Sequence, residues 1–490
     1  MATGRLEHLH RPATTRGTGT DVHGRKPIII IQGGQWGSEA KGLIAHKLTI
    51  EKGVEIAIRT GTVNAGHTVY FGGKAYVMQQ LPVSWVRPGC QLVLGPGAYI
   101  SPEILIRELE WIGEATGEGW EGVVSRLCID YRCGIHLPEH TDRAAEADRH
   151  HSIGTTGKGC SEAVVDKIMG RDRMALPTFD DFVSGKGGFW RDLSARIVDT
   201  VVMANSGIDA GKQVMVEGTQ GSLLDLHLGD YPYTTHKQTQ AASWLAEAGL
   251  SPALPLDLWM VMRMYPIKVA GNSGPMPGEV SWVKLARQIN EKLGKEMVAE
   301  EALKAWEQAL RTVQATDFPE APSPDPSWWT QHERREARVA ASEMHAHAFR
   351  LLKAEEQGEL KKLFEFTTVT KKLRRVAEWN WSIADKSLML NRPTHIALTF
   401  MNYMWPYMWG ATAKAINSPV TAPGQHTQCG HWFNWVQTVN EWSRRVGKSG
   451  PVGIVSFGPQ IEHTHMLDGG AAETVQATAE AELMGGGSGQ

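Results

Sequence analysis

The chain has 490 residues, a formal net charge of -3 and 42% hydrophobic residues, enough for a real core; wholesale disorder and a uniformly basic nucleic-acid binder are both excluded. It contains no 18-residue uncharged apolar run that would span a membrane, and its five scattered cysteines, an odd number, suit a reducing compartment better than a disulfide framework. Fifty-two glycines stand where a usual share of about 7% would give about 34, so bare backbone is wanted somewhere.

Residues 1–26 carry five Lys/Arg, two acids and three His with few bulky apolar residues, and read as a disordered basic arm. A transit peptide is the weaker reading of the same composition. The run Ile28-Ile29-Ile30-Ile31 is β-branched and bounded by glycines, which predicts a buried parallel strand. A glycine-rich turn, a helical pattern over Leu43–Lys52 and a second strand over Val54–Arg59 follow. Further strands are predicted at Leu92–Leu94, Val214–Glu217, Ile396–Phe400 and Val452–Ser456. The expected fold is α/β: a central, mainly parallel β-sheet flanked by helices, with a P-loop-like nucleotide-binding architecture, over one catalytic domain at 27–484. Residues 282–363, rich in Glu, Lys, Ala and Arg and broken by prolines at 319–326, read as a helical insertion. A solvated surface hairpin is the first reading of it and an oligomer contact the second. Residues 485–490 read as a flexible tail.

Four glycine-rich loops carry the functional signal. Gln32-Gly33-Gly34-Gln35-Trp36-Gly37-Ser38-Glu39-Ala40-Lys41-Gly42 lies between the first strand and the first helix. Open backbone N–H groups and a helix N-terminus hold phosphate oxygens there, and Lys41 adds a point charge. Ala40 before Lys41 and Gly42 after it depart from the regular P-loop. Asn64-Ala65-Gly66-His67-Thr68, Gly154-Thr155-Thr156-Gly157-Lys158-Gly159 and Glu217-Gly218-Thr219-Gln220-Gly221 are the other three. Together they predict a nucleotide crevice along the carboxyl edge of the sheet, with the glycine surplus lying as bare backbone against phosphates.

These stretches, QWGSEAKG, NAGHT, IGTTGKG, EGTQGSLLD with YPYTT, and SFGP, occur in one order along nearly the whole chain. In that order the sequence resembles the adenylosuccinate synthetase family, which joins aspartate to a 6-oxopurine nucleotide. The resemblance implies a Mg²⁺-dependent carbon–nitrogen ligase that phosphorylates the purine 6-oxygen and then displaces that phosphate with the aspartate amine. It implies that His67 contacts the 6-oxygen and the transferred phosphoryl and that the Gly66 carbonyl helps hold Mg²⁺. Lys41 is implied in catalysis and, with Gly37, Gly42, Thr68 and Gly458, in donor-nucleotide binding. Asn64, Thr155, Thr156, Gln220 and Thr235 are implied around the substrate nucleotide and its 5′-phosphate. Arg171 lies within one residue of a family arginine that reaches this phosphate from a neighbouring subunit, which implies a homodimer.

Three departures set the expected substrates. Ser38 stands where family members acting on inosinate carry Asp, as the base toward purine N1 and as a metal contact; a serine hydroxyl is a poor base. The chain is then an inactive nucleotide-binding homologue, an ordinary synthetase with another base, or an enzyme for another purine. A 2-amino group would fit the shorter side chain, and the serine resembles the bacteriophage branch, 2-aminoadenylosuccinate synthetase, which acts on dGMP for diaminopurine nucleotides. Asn402, in Leu398-Thr399-Phe400-Met401-Asn402, replaces the family's guanine-reading Asp, and an amide matches the adenine edge, so ATP or dATP is the expected donor. The alternative is that Asn402 ends a strand and touches no base. In Thr367–Arg375 the residues Thr370, Lys372 and Arg374 align with the family's aspartate loop, and Lys372 in place of an arginine agrees with a deoxyribose substrate. The plain reading of that basic run is a solvated face. The expected partners are therefore dGMP, L-aspartate and ATP or dATP, with neither nucleic acid nor membrane, in the cytoplasm (of a host cell, were the chain viral). His426, Cys429, His431, His463 and His465 match no zinc spacing, and the 18 Trp are read as packing residues.

Overall fold

The computed structural model describes residues 20–147, 155, 157–170, 178–317, 331–367, 372–410 and 452–467. Its strands in chain order are β1 (Ile28–Gly33), β2 (Ile56–Gly61), β3 (His67–Phe71), β4 (Lys74–Met78), β5 (Gln91–Ile100), β6 (Leu127–Asp130), β7 (Gly134–Ile135), β8 (Ile197–Val198), β9 (Val214–Glu217), β10 (Leu256–Arg263), β11 (Ile267–Lys268), β12 (Glu279–Val280), β13 (Arg375–Ala377), β14 (His395–Thr399), β15 (Val452–Ser456) and β16 (Thr464–Met466). Eleven of them form one sheet in the order β16-β15-β14-β10-β1-β9-β2-β5-β6-β8, with β7 beside β5. Every pairing in it is parallel except β15 with the edge strand β16.

β1 is buried along its whole length because both faces of the sheet are covered. Ile29 and Ile31 pack with Ile44, Leu48, Leu105 and Leu109 of the helices Lys41–Lys52 and Pro102–Thr116. Ile28 and Ile30 pack on the opposite face with Ala204, Ile208, Trp244 and Leu245 of the helices Thr200–Asp209 and Ala241–Ala248. Each buried isoleucine contributes about 2 kcal/mol of transfer free energy, so the four-isoleucine run fixes which strand lies at the centre.

The strands expected from the sequence are present, with boundaries shifted by a few residues at Ile56–Gly61, Gln91–Ile100 and His395–Thr399. β10, next to β1, escapes the sequence reading: Leu-Asp-Leu-Trp-Met-Val-Met-Arg holds one β-branched residue, and its strand identity comes from pairing β1 and β14. The surface-hairpin reading of 282–363 is corrected. Helices Trp282–Leu293, Glu300–Asp317, Gln331–Leu351 and Ala354–Leu360 send Trp282, Leu285, Ile289, Leu303, Trp306, Ala348 and Leu360 into the same core as Met260, Met262 and Leu398 of the sheet. Many of the charged residues counted from the sequence, among them Lys284, Arg287, Glu291, Glu301, Lys304 and Glu333, are exposed on these helices. The proline-rich stretch 319–326, most of the N-terminal arm and the tail lie outside the described residues. Among the described residues no helix is long and apolar enough to cross a membrane.

His46 in the helix Lys41–Lys52 is buried, and desolvation, against the weaker pull of Glu462, holds its imidazole down to about 4. Its folded pKa lies below its unfolded value, so the unfolded chain binds the extra proton and stability is lost as pH falls from about 6.5 to 4. A depression of this size corresponds to about 3 kcal/mol at the acid end of that window. His46→Gln is expected to flatten the fall in melting temperature between pH 6.5 and 4.5; an unchanged slope would show that His46 does not titrate with unfolding.

Candidate functional site

The parallel register brings the carboxyl ends of β1, β9 and β2 level: Ile31 pairs with Glu217, and Glu217 with Arg59. The loops leaving these strands meet over a single cleft of about 1260 Å³. The loop after β1 turns through left-handed backbone at Ser38 (φ 61°) and Ala40 (φ 66°), and no side chain caps the helix that starts at Lys41. The N–H groups of Lys41 and Gly42, at the positive end of that helix, are left for an anion in the cleft. Inside the loop Glu39 is fully buried; its Oε1 accepts from the Gln35 and Gly37 amides at 3.1 and 2.8 Å, and its Oε2 takes Lys41 Nζ at 2.6 Å. Lys41 is thus not the isolated point charge the sequence predicts, because a carboxylate two residues earlier already pairs with it. The bare backbone here also answers to more than phosphates: a Cβ on Gly33 would lie 2.4 Å from the Gln220 carbonyl oxygen, and one on Gly221 2.3 Å from that of Gln35. The first and last glycine loops interlock backbone against backbone.

Glu217 anchors the next part of the site. It is fully buried, and Oε1 accepts from Arg59 Nη1 at 2.7 Å and meets His67 Nδ1 at 2.6 Å, while Oε2 accepts from the Val83 amide at 2.8 Å. These partners, against the opposing effect of burial, hold its carboxyl below the usual range. Burial and the nearby Arg59 charge push His67 down to about 4 despite Glu217. The neutral imidazole then donates its Nδ1–H to the Glu217 carboxylate, which leaves Nε2 buried and without a partner among the described residues.

Opposite His67, Gln220 Nε2 donates to Thr235 Oγ1 at 2.7 Å, and Gln220 Oε1 is buried without a partner among the described residues. Thr62 Oγ1 donates to Asn64 Oδ1 at 2.8 Å. Asn64, Thr155 and Thr235 line this end of the cleft.

At the other end Arg374 Nη1 donates to Ser38 Oγ, joining two residues 336 positions apart. Arg263, closing β10, is ion-paired with Glu365, with Nη1 3.0 Å from Oε2, and Tyr403 Oη donates to the same carboxylate at 2.8 Å. Burial raises the Glu365 carboxyl, but the Arg263 charge and hydrogen bond and the Arg374 charge together keep it below its usual range. Gln35 and Arg263 exchange side chain for backbone, Nε2 to carbonyl at 2.9 Å and amide to Oε1 at 3.0 Å, which ties this end to the first loop. Asn402 is buried in the short helix Met401–Met404, lines the cleft, and makes no side-chain hydrogen bond among the described residues.

Fifteen of the eighteen residues singled out from the sequence line this cleft, among them Gly37, Gly42, Gly66, Thr68, Lys372 and Gly458. The other three, Thr156, Arg171 and Thr370, lie outside the described residues, as do His426, Cys429 and His431. Sequence reasoning gave no role to Glu39, Arg59, Glu217, Arg263, Glu365 or Tyr403. A signal existed for three of these: Arg59, Glu217 and Arg263 are charges at or near the carboxyl ends of largely apolar strands. Among the described residues no three His, Cys, Asp or Glu converge on a metal site. Among the described residues the cleft therefore offers no His, Cys, Asp or Glu cage for a metal. A Cβ on Gly66 would lie 2.8 Å from Val77 Cγ1, so this loop position accepts only bare backbone, and a backbone carbonyl is a suitable hard-oxygen ligand for Mg²⁺.

Comparison with known proteins agrees with this architecture. The family profile of adenylosuccinate synthetase matches residues 30–181 and 172–405. The adenylosuccinate synthetase of Thermococcus onnurineus is 29% identical over 439 residues, 89% of this chain and 97% of its own length. That of Methanococcus vannielii is 37% identical over 255 residues, 51% of this chain and 69% of its own. Among solved structures, the cyanophage S-2L succinoaminodeoxyadenylate synthetase bound to dGMP and dATP as an energy donor superposes with a TM-score of 0.61 at 21% identity, covering 93% of this chain and 99% of its own. The fully ligated adenylosuccinate synthetase of Plasmodium falciparum gives 0.60 at 17% identity, covering 90% and 99%. With its glycine loops joined over one cleft at the carboxyl edge of a parallel sheet, the chain belongs to the adenylosuccinate synthetase family and is a carbon–nitrogen ligase.

Proposed function

We propose that this chain joins L-aspartate to position 6 of dGMP, with ATP or dATP as phosphoryl donor and Mg²⁺ as cofactor, giving N6-succino-2-amino-2′-deoxyadenylate. The observation that carries the reading is Ser38, a hydroxyl at the loop position where inosinate-using relatives have a carboxylate, held by the Arg374 guanidinium. With one lone pair accepting from Arg374, Oγ keeps a second for a purine 2-amino group, and the short side chain leaves room for it. The complex of the cyanophage enzyme with dGMP and dATP supports the same substrates. The second reading, inosinate with GTP, is favoured by the names of the archaeal relatives.

In this reading the purine 6-oxygen attacks the γ-phosphorus and the bond to the nucleoside diphosphate breaks; the aspartate amine then displaces phosphate from C6. His67 Nε2 faces the transferred group. The arriving negative charge favours its protonation and turns Nε2 from acceptor to donor, while Glu217 balances the imidazolium through Nδ1. Thr155, Thr156, Gln220 and Thr235 hold the 5′-phosphate, with Arg171 of a second subunit in a homodimer. Lys372 and Arg374, with Thr370, hold the aspartate carboxylates. The Gly66 carbonyl would help hold Mg²⁺, which when bound would offset the charge of the triphosphate. Ser38 Oγ, with one lone pair taken by Arg374, has a single further lone pair to offer, to the 2-amino group or to the ion but not to both.

Offered dGMP, GMP, IMP and AMP in turn with aspartate, Mg²⁺ and ATP, the protein is expected to release phosphate with dGMP; turnover of IMP without dGMP would replace this reading by the second. Ser38→Asp is expected to lower kcat/KM for dGMP at least tenfold, and unchanged dGMP turnover would remove the steric account of position 38. Asn402→Asp is expected to move donor preference from ATP toward GTP, read as the ratio of the two kcat/KM values; a constant ratio would show that Asn402 reads no base. His67→Asn is expected to cost about 10²–10³ in kcat with little change in nucleotide KM, and a variant within threefold of the parent would show that Nε2 contacts no reacting group.

A further inference from the structure

The arms of the loop assigned to aspartate are Phe364–Thr367 and Lys372–Arg375. They form a narrow antiparallel hairpin: Phe366 bridges Leu373, the Thr367 amide donates to the Lys372 carbonyl at 2.8 Å, and the Arg374 amide donates to the Glu365 carbonyl at 2.8 Å. So short a hairpin has little stability of its own. It is backed by the segment 282–363. Trp282, buried at the start of the first of these helices, donates its indole N–H to the Arg374 carbonyl at 2.6 Å, and its ring packs on Phe364 at 5.9 Å. Trp306, on the second, meets Phe364 edge-on at 5.7 Å, and Phe349, on the third, packs on Phe366 at 4.6 Å. Three successive helices of the segment thus grip the residues on either side of Glu365 and the backbone of Arg374.

We infer that the segment 282–363 is a specificity buttress: Trp282 and Phe349 are positioning residues that fix where Arg374 presents its guanidinium, and so how tightly the aspartate subsite holds its ligand. The inference rests on the aspartate reading of the hairpin. Its physical basis is that a long arginine side chain loses rotamer entropy on binding unless its backbone is already placed. The Trp282 indole is a single rigid donor to that backbone, and the hydrogen bond is partly buried, so removing the donor leaves the Arg374 carbonyl without it. The same arm has a further tie: Arg375 donates to the Gly274 carbonyl at 2.6 Å and pairs with Glu279, and so joins the hairpin to the turn before the helices.

Trp282→Phe keeps the ring and deletes the donor. It is expected to raise the aspartate KM about fivefold, the size of one hydrogen bond, to leave the KM of the phosphoryl donor unchanged, and to lower the melting temperature by no more than a few degrees. Arg374→Ala is measured alongside and is expected to raise the aspartate KM at least tenfold. In the double variant the Trp282→Phe increment is expected to vanish, because both changes act through one group. An unchanged aspartate KM in Trp282→Phe with a raised one in Arg374→Ala would overturn the buttress alone. An unchanged aspartate KM in Arg374→Ala would overturn the aspartate reading itself. A proportional rise of all three KM values with a lowered melting temperature would show a merely structural role and also overturn the inference. Should Trp282→Phe fail to fold, Phe349→Leu, at a half-buried ring, reads the other arm by the same criteria.

Discussion

The structure of the cleft depends on one buried carboxylate. Glu217 has no exposure to solvent, and an ion so placed costs several kcal/mol unless its lone pairs are filled. Arg59 from β2, His67 from β3 and the Val83 amide from the turn beyond β4 fill them. Because the three partners come from separate elements, satisfying the charge also sets the distance between the sheet and the β3–β4 hairpin. Arg59 extends the same link, donating to the Ala65 carbonyl at 2.8 Å and so holding the loop that carries Gly66 and His67. The His67 imidazole is therefore placed by electrostatics inside the core at the wall of the cleft, with Nε2 lacking a partner among the described residues.

The same pairing logic governs the other charges. Lys41 is matched by Glu39, and Arg263 by Glu365. Each pair is buried in part or in full, and each is supplemented by backbone or hydroxyl donors that complete its shell. An anionic ligand entering the cleft thus meets the open N-terminus of the helix Lys41–Lys52 and a few neutral side chains as well as cations. Such a site holds phosphates by directed N–H groups, which favours a defined pose over simple charge attraction. The interlock at Gly33 and Gly221 supplies the rigidity this needs, since neither loop can shift without the other.

Much of this was legible in the order of residues. The isoleucines of β1, the glycine loops and the strands around Val214 and Val452 follow from local composition and turn chemistry, and the loops at strand ends led to the cleft. The less legible parts share a cause. β10 is a strand because β1 and β14 flank it, and its composition alone says little. The helices of 282–363 look solvated because charged residues dominate their count, whereas a core-facing stripe of Trp282, Leu285, Ile289 and Trp306 decides their packing. A count of charges along a segment does not show which face carries them.

The sequence by itself determined the fold class, the family and many of the residues that line the cleft, because strand propensity and glycine-loop chemistry act over a few neighbouring positions. Only the tertiary structure decided how these residues are used. Lys41 is paired with its loop neighbour Glu39, Ser38 is held by Arg374 from 336 residues away, and His67 leaves Nε2 without a partner among the described residues because Glu217 takes Nδ1. Ionisation and hydrogen bonding depend on burial and on partners brought close by chain crossings, and those quantities exist only once the chain is folded.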